Sequence, residues 1–433
     1  MQMNRDILRL AIPNILTNLT VPLLGMVDMH LMGYQDSEVF MGAVALGGVI
    51  FNFVYWGFAF LRMSLSGLAA QAYGRESKHD MAMMLFRGLF LAISGAIVLL
   101  IFQSGIEKLS LMVLEGSNEV KALAANYFYT RIWAAPAAIS LMDIYGWFLG
   151  MQNAFYPMII AISVNVVNIG CSFFFVKVLG MKVEGVALGS VIAQYFGLIL
   201  AMILFLKKYG YILKEFSFSD IIRRSALVEF LNVSGDIFVR TLCIILVFTF
   251  FTSKSAGDSN LILAANSALL QFLFLFSYFL DGFAFAGEAM VGKFTGGFHI
   301  QELKRVVKLL FGWGAFFALI FTLLYGFGGE LLIQFFTNQS HVIEVAIDYI
   351  PWLILLPITG FSSYIWDGVY IGATASRLMR NTMIISTFVF FLLFFLLRPA
   401  LGNHALWLAM NGFMLGRGLT QTFFYSKLPI FKK

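Results

Sequence analysis

The chain has 433 residues, of which 60% are hydrophobic and only 12% are charged, and its mean hydropathy is +0.86. So few charges cannot form the polar surface that a soluble protein of this length needs, and a water-soluble globular fold is excluded. The net charge of +6 does not indicate a nucleic-acid partner, because the basic residues lie mostly in the short links between apolar blocks.

Apolar blocks follow one another along the chain, each longer than the roughly 20 residues that a spanning helix needs. They lack the two-residue alternation of an outer-membrane barrel. Backbone groups inside hydrocarbon must bond within their own segment, so the blocks predict an all-α integral membrane protein. We place twelve helices at roughly 7–34, 42–67, 82–104, 121–148, 154–178, 185–206, 226–252, 261–288, 304–327, 342–368, 378–398 and 404–427.

The basic residues predict how these helices are oriented. With the N-terminus placed in the cytoplasm, 19 of the 29 Lys and Arg residues fall on the cytoplasmic side, 7 on the outer side and 3 within spans. This excess predicts an inner-membrane protein with both termini in the cytoplasm. The first block lacks a short apolar core followed by a small-residue cleavage site, so it predicts a retained helix rather than a signal peptide.

The chain also repeats itself at an offset of 222 residues, which links three glycines of the first half to three of the second: Gly74 to Gly296, Gly146 to Gly368, and Gly150 to Gly372. Six helices per half enter the membrane in the same direction, which predicts two six-helix bundles related by a pseudo-two-fold axis along the membrane normal. We predict an N-terminal lobe over 1–206, a cytoplasmic linker over 207–225 and a C-terminal lobe over 226–433. Two similar lobes around a central cleft are typical of a transporter.

A polar stripe follows one face of the first predicted helix and ends in a carboxylate. Asn14, Asn18 and Asp28 fall within an arc of roughly 100° at helical spacing. No cation lies at helical spacing from Asp28, and a carboxylate without a cation in a low-dielectric setting can hold a proton near neutral pH. Asp28 is therefore the predicted proton site. Pro13 and Pro22 each remove a backbone hydrogen bond and predict a bend in this helix.

Other polar residues also lie within predicted spans. Inserting a charged side chain there costs about 2.5–3.5 kcal/mol, so each one is expected to have a structural partner or a function. Asp236 and Arg240 are four residues apart on one helix and predict a structural ion pair. Asp143 can pair with Arg131 or with another helix. The further candidates for a cavity lining or a contact between helices are Tyr145 on the fourth helix, Asn165, Asn168 and Ser172 on the fifth, Asn266, Asp281 and Glu288 on the eighth, and Asp367 on the tenth.

The reactive residue types show no catalytic or metal-binding arrangement. Cys171 and Cys243 each lie inside an apolar block and predict small buried side chains rather than a disulfide or a thiol metal site. The five histidines are scattered over different links and helices, and no HExxH, GxSxG or P-loop pattern occurs. The sequence therefore predicts a protein that is not an enzyme and that holds neither a metal nor an organic cofactor.

Several segments resemble the multidrug and toxic compound extrusion (MATE) family. Pro13, residues 22–28 and Gly33 resemble the family's first helix, and residues 135–136, 146–150, 165–169 and 185–189 resemble its fourth to sixth helices. Residues 280–289, 366–373, 380–381 and 401–407 resemble the second half of its DNA-damage-inducible, DinF-type branch. The resemblance spans nearly the whole chain.

The resemblance implies a V-shaped pair of six-helix bundles that exchange a cation for an outgoing small organic compound by alternating access. It also implies that Asp28 is the coupling site, that Asn168 supports it and that the first helix bends at Pro13. In many relatives an aspartate stands where this chain has Ser172, so a sodium cage of several oxygens is incomplete here. We therefore expect protons as the coupling ion, with sodium as the alternative, and Asp143 is a candidate replacement for the missing carboxylate.

From these observations we expect small-molecule substrates, cationic or amphiphilic, membrane lipid as the surroundings, no nucleic-acid partner and function as a monomer. The first alternative is a related two-lobe flippase for lipid-linked or polysaccharide precursors, which needs basic residues for phosphates. Within the spans only Arg62, Arg240 and Arg417 are candidates for that role. A channel or a purely structural membrane protein is the other alternative, and the carboxylates inside the membrane argue against a structural protein.

Overall fold

A computed structural model describes residues 2–33 and 37–431, and no strand occurs among them. The prediction of an all-α protein is thus confirmed for this part of the chain. Its α-helices are α1 (Gln2–Gly33), α2 (Glu38–Gly74), α3 (Lys78–Ile101), α4 (Gln103–Val113), α5 (Asn118–Arg131), α6 (Ala135–Gly150), α7 (Phe155–Phe173), α8 (Val183–Tyr209), α9 (Phe218–Ile221), α10 (Arg224–Asp258), α11 (Asn260–Gly296), α12 (Ile300–Phe336), α13 (Ser340–Gly372), α14 (Ser376–Leu401) and α15 (His404–Phe424).

Within residues 2–33 and 37–431, eleven helical segments are long and apolar enough to cross a membrane. They correspond in order to the first eleven predicted spans, and a short 3₁₀ turn joins α5 to α6 within the fourth. The twelfth predicted span is α15, in which polar residues such as Asn411, Arg417 and Gln421 lower the hydropathy. The predicted end of the first helix at position 34 lies outside the described residues.

The helices differ from the predicted spans mainly at their ends. α2 begins at Glu38, where the Ser37 hydroxyl accepts a hydrogen bond from the amide of Val39 (3.3 Å), and Ser259 caps α11 in the same way. These polar end residues lie outside the apolar blocks, so hydropathy alone places the ends too far inward. Two helices fall outside the predicted spans: α4, which has no buried residue, and α9, in the predicted linker.

By its contacts the chain divides into two units, Leu16–Phe230 and Met1–Ile15 with Leu231–Lys433. α1 belongs to both units: its residues up to Ile15 are grouped with Leu231–Lys433, and its residues from Leu16 onward belong to Leu16–Phe230. The division falls two residues after Pro13. The part of α1 up to Ile15 is packed against α11, where the carbonyl oxygen of Ala11 would lie 2.9 Å from a Cβ added to Gly282. The lobe boundaries predicted from the sequence, 1–206 and 226–433, stay a prediction.

The 222-residue repeat reappears as a repeated contact between helix backbones. In the first unit Gly146 of α6 lies against the carbonyl group of Arg62 on α2. In the second unit Gly368 of α13 lies against the carbonyl group of Ala284 on α11, and positions 62 and 284 are again 222 residues apart. One turn further, a Cβ at Gly150 would lie 2.8 Å from the carbonyl oxygen of Ser66, and a Cβ at Gly372 would lie 2.7 Å from that of Glu288.

The turns that follow these helices repeat as well. Glu76 after α2 and Phe298 after α11 both have φ of 58°, and Gln152 and Thr374 have φ of 61° and 51°. These pairs are also 222 residues apart. A left-handed residue at the end of a helix lets the following amides bond back to its last turn. The amide of Ser77 accordingly donates to the carbonyl of Ala72 (3.2 Å).

The glycine contacts generate a prediction about stability. Gly146→Ala and Gly368→Ala should each destabilise the protein by about 1–3 kcal/mol, because the new methyl group would overlap a fixed carbonyl group of the facing helix. Gly48→Ala and Gly312→Ala are matched controls in helices, since no atom lies within 4 Å of their added Cβ. These should be neutral or stabilising by about 0.4–1 kcal/mol. The free energy of unfolding by SDS in mixed micelles measures both, and equal losses at all four positions would contradict the packing argument.

Candidate functional site

Asp28 lies in the last part of α1 and belongs to the unit Leu16–Phe230. It is 5% exposed, and its Oδ1 oxygen has no hydrogen-bond partner. Two residues of the same helical segment, Leu31 and Met32, are buried in the core of this unit. The helix thus holds the carboxylate in an apolar setting, where an unbonded charged oxygen is costly.

The cation that acts on Asp28 comes from another helix. Arg131, at the end of α5, attracts Asp28 electrostatically, although no ion pair within 4.0 Å joins them in the described part of the chain. The guanidinium donates a hydrogen bond to the Tyr127 hydroxyl and lies 5.0 Å from the centre of the Phe51 ring. Arg131 also acts electrostatically on Tyr55 of α2. The buried Tyr55 hydroxyl has no hydrogen-bond partner.

The predicted polar residues of the fifth span form a network of amides and hydroxyls. Asn168 donates from Nδ2 to the Ser190 hydroxyl of α8 (2.9 Å), and its Oδ1 accepts from the Ser172 hydroxyl (3.3 Å). All three side chains are buried. Asn165, one turn earlier, donates from Nδ2 to the carbonyl oxygen of Thr20 on α1 (3.4 Å). α7 is therefore joined to α1 through a backbone carbonyl; the hydrogen bonds of Asn168 and Ser172 go to neighbours other than Asp28.

Asp143 occupies a different place from the one that a replacement carboxylate beside Ser172 would need. It is fully buried on α6, and neither carboxyl oxygen has a hydrogen-bond partner. Its carboxyl group lies against Gly88 of α3, where an added Cβ would be 2.7 Å from the Asp143 Cγ. Arg131 is engaged by Tyr127 and Phe51, and the described residues show no pairing of Asp143 with it.

In the other unit one buried carboxylate binds two arginines. Asp367 of α13 accepts through Oδ2 from Arg240 of α10 and from Arg417 of α15, the latter at 2.6 Å. Its Oδ1 accepts from Gln421 (3.0 Å). Three helices are therefore connected through a single carboxylate, whose charge is compensated by charge-assisted hydrogen bonds.

The predicted ion pair between Asp236 and Arg240 is wrong. Asp236 instead accepts from Arg380 (2.7 Å) and from the Ser376 hydroxyl (2.8 Å), both on α14. Spacing by four residues only places two side chains on one face of a helix, and here partners about 130–140 positions away in the chain compete successfully for both groups.

Asn266 is engaged in a closed hydrogen-bond group. Its Nδ2 donates to Ser255 (2.7 Å) and Asn403 (2.9 Å), while its Oδ1 accepts from Asn403 (3.1 Å) and the Trp407 indole (2.9 Å). These four bonds use its full capacity, so the side chain connects helices rather than offering a free group. Asn14 likewise donates to the carbonyl oxygen of Leu10 in its own helix (2.7 Å).

The remaining predicted residues lie in both units. Asn18 and Pro22 lie on the part of α1 that belongs to the unit with Asp28, and Pro13 lies on the part that belongs to the other unit. Tyr145 packs partly buried against the core of the Leu16–Phe230 unit. Asp281 and Glu288 lie on α11, where Glu288 is buried. The structure thus brings together Asn165, Asn168 and Ser172, but it does not join them to Asp143.

Some residues of these sites escaped the sequence analysis, and the signal for them was partly present. Arg131 and Tyr127 stand four residues apart in the fourth span, as do Arg417 and Gln421 in the twelfth, so each pair lies on one face of its helix. The sequence indicated Arg131 as a partner for Asp143 and as part of the charge bias, but not as the cation that acts on Asp28. Ser190 and Arg380 carry no local signal, because only the packing of α8 and α14 gives them their roles. Among the described residues, no three His, Cys, Asp or Glu side chains cluster as metal ligands would.

A family model with the description MatE matches residues 13–174 and 237–397, once in each half. The chain belongs to the MatE family. DNA damage-inducible protein F of Escherichia coli K12 is 36% identical over 415 residues, which cover 95% of this chain and 89% of that protein. The resemblance to this branch is thereby confirmed, and the chain is a membrane-embedded efflux transporter of the MATE type.

Solved structures of MATE transporters share the fold. A MATE transporter crystallised in the bent conformation superposes with a TM-score of 0.86 at 18% identity, covering 100% of this chain and 98% of that one. The bent form of the Vibrio cholerae transporter VcmN gives a TM-score of 0.85 at 16% identity, covering 99% and 97% of the two chains. At such identities the likeness establishes the fold alone.

The two ion-pair sites of the second unit should differ in their contribution to stability. Asp367→Asn should destabilise the protein by about 3–5 kcal/mol, because it removes the buried carboxylate that two guanidinium groups share. Asp236→Asn removes the same charge, but its partner Arg380 is 35% exposed and can turn to water, so the loss should be smaller. Unfolding by SDS in mixed micelles measures both variants. An equal or larger loss for Asp236→Asn would contradict the assignment of Asp367 as the central carboxylate.

Proposed function

We propose that this transporter is a secondary active antiporter that exports small organic compounds, cationic or amphiphilic, in exchange for protons by alternating access. The observation that carries the proposal is the buried Asp28 carboxylate, which has an unbonded oxygen and a cation, Arg131, that attracts it without forming a close ion pair. A carboxylate in such a setting exchanges a proton at a moderate free-energy cost, about 1.36 kcal/mol for each pKa unit.

The geometry supports a mechanism in which the proton controls the position of α1. Ionised Asp28 is attracted by Arg131, and a proton on the carboxyl group cancels that attraction. Pro22 lies six residues before Asp28 and removes one backbone hydrogen bond of α1, so the helix can bend there at a reduced cost. The membrane potential supplies about 2.3 kcal/mol per charge per 100 mV, enough to drive such an exchange.

Protons are favoured over sodium by the ligands near Asp28. A sodium site needs several oxygens that converge on one point, as hard cations require. In the α7 network the Asn168 Oδ1 oxygen accepts from the Ser172 hydroxyl, and the Asn168 Nδ2 donates to the Ser190 hydroxyl, so these groups bind one another rather than a common centre. Asp28 remains as the single carboxylate in the part of α1 that belongs to Leu16–Phe230, and one proton neutralises it. We also propose that the coupling ion is the only cofactor and that the protein works as a monomer.

The flippase for lipid-linked precursors remains the second candidate, and the described contacts disfavour it. That function needs basic side chains that can accept phosphate groups. Arg240 and Arg417, two of the three candidates within the spans, both donate to Asp367. The excess of Lys and Arg in alternate links, together with the bacterial relative, supports a place in the inner membrane with both termini in the cytoplasm.

The proposal predicts the loss of proton-driven transport in Asp28→Asn. In proteoliposomes with a fluorescent organic cation, a pH gradient should drive flux through the wild type. The variant should be slower by roughly 5–150-fold, the range that a coupling free energy of about 1–3 kcal/mol gives. Asp6→Asn is a matched control on the same helix, because Asp6 is exposed, and it should transport like the wild type.

The same liposomes under a sodium gradient at constant pH separate the two coupling ions. If the flux responds to the sodium gradient and not to the pH gradient, the coupling ion is sodium rather than the proton. Wild-type flux that ignores both gradients, or flux that survives unchanged in Asp28→Asn, would rule out coupling at Asp28, and transport of lipid-linked precursors should then be measured.

A further inference from the structure

Asp143 is a buried carboxyl group that the proposed coupling at Asp28 does not use. It has no exposed surface, and both of its oxygens lack a hydrogen-bond partner. Its neighbours along α6 include the buried apolar residues Ile139, Leu141 and Ile144. An ionised carboxylate in this position would carry its full desolvation cost with nothing to offset it. The geometry therefore fits the neutral acid, with its proton on one of the two oxygens.

Two of the charged and ionisable groups on the neighbouring helices bind backbone carbonyl groups. On α3, the Arg87 guanidinium donates to the carbonyl oxygens of Asp220 (2.9 Å) and Ile221 (3.4 Å). On α8, Tyr195 donates to the carbonyl of Trp133. The remaining such groups on the elements that pack against α6 or directly follow them are Glu38, Tyr55, Arg62 and Tyr73 of α2, Lys78, His79 and Asp80 of α3, Tyr156 and Cys171 of α7, Lys177 of the π turn that follows it (Phe174–Val178), and Glu184, Lys207, Lys208 and Tyr209 of α8. None of the described groups acts electrostatically on Asp143.

One contact closes the site on the side of α3. The carboxyl group lies against the backbone at Gly88, where an added Cβ would be 2.7 Å from Cγ. Only the absence of a side chain allows this approach, and a small separation of α3 from α6 would open the carboxyl group to water. The adjacent Arg87 donates to the carbonyl groups of Asp220 and Ile221 at the end of α9, and two residues separate α9 from α10. These hydrogen bonds connect α3, beside Asp143, to the segment that leads into α10.

We propose that Asp143 is a second proton-binding site, occupied while α3 and α6 are in contact at Gly88 and released when they separate. On release the carboxyl O–H bond breaks, the electron pair stays on the carboxylate and the proton passes to water. On closure the reverse transfer occurs, because the ionised group cannot be buried there alone. The inference rests on the proposed proton antiport, to which it adds one further proton per transport cycle.

Infrared spectroscopy of the reconstituted protein tests the protonated state directly. The wild type should show the C=O stretch of a protonated carboxyl group without hydrogen bonds, and Asp143→Asn should lack it. Asp28→Asn should retain it. Gly88→Ala should shift the band, because the methyl group displaces the carboxyl group, whereas Gly57→Ala on α2 meets no atom within 4 Å and should leave it unchanged. If the difference spectrum between the wild type and Asp143→Asn contains no such band, the proposal is overturned.

Proton counting tests the role in transport. The pH gradient that just balances a fixed substrate gradient gives the number of protons exchanged per substrate, and Asp143→Asn should exchange one fewer than the wild type. Asp143→Ala serves as the second variant if the amide prevents folding, with the same expected count. An unchanged count in Asp143→Asn, with pH-driven flux lost in Asp28→Asn, would overturn the second site and leave the antiport standing. Wild-type flux that ignores pH would overturn both.

Discussion

The close approach of two helix backbones at a glycine is the contact on which both halves of this protein depend. Helices in a membrane gain nothing from excluding water, so they associate by van der Waals packing, and small residues let their backbones meet. Gly146 against Arg62 and Gly368 against Ala284 provide such contacts at equivalent positions. Neighbouring residues on α6 and α13 are consequently buried without water, and any ionisable group among them needs a partner within the protein or a proton.

The two units meet this requirement in opposite ways. Asp367, the residue before Gly368, is compensated by Arg240 and Arg417 and keeps a fixed charge. Asp143, three residues before Gly146, has no cation and no hydrogen bond. A repeated backbone therefore carries different chemistry in its two copies. In the unit with Arg240 and Arg417 the buried Asp367 is held in ion pairs, whereas in the unit with Asp28 and Asp143 neither carboxyl group forms a close ion pair among the described residues.

The sequence predicted the fold well, because the membrane limits the backbone to helices and makes apolar block length informative. The glycine repeat was visible for the same reason, since close backbone contacts tolerate no side chain. The predicted polar face of the fifth helix corresponds to observed contacts, as the hydrogen bond between Ser172 and Asn168 shows. Pairing between helices was not predictable, because spacing along one helix says nothing about a partner about 130–140 positions away. The replacement of the expected Asp236–Arg240 pair by pairs with Arg380 and Asp367 follows from that limit.

The two units differ in how readily their buried carboxyl groups can take up or release a proton. A carboxylate that binds two guanidinium groups, as Asp367 does, loses several charge-assisted hydrogen bonds when it takes up a proton, so its state is fixed over a wide range of conditions. Asp28 loses only a longer-range attraction to Arg131, and Asp143 loses no contact of its own. In the proposed antiport the charge of Asp28 therefore changes at a free-energy cost that ion gradients can supply, whereas ionisation of Asp143 requires that its carboxyl group first reach water. In the proposed antiport, the protons are therefore exchanged at Asp28 and Asp143, both in Leu16–Phe230.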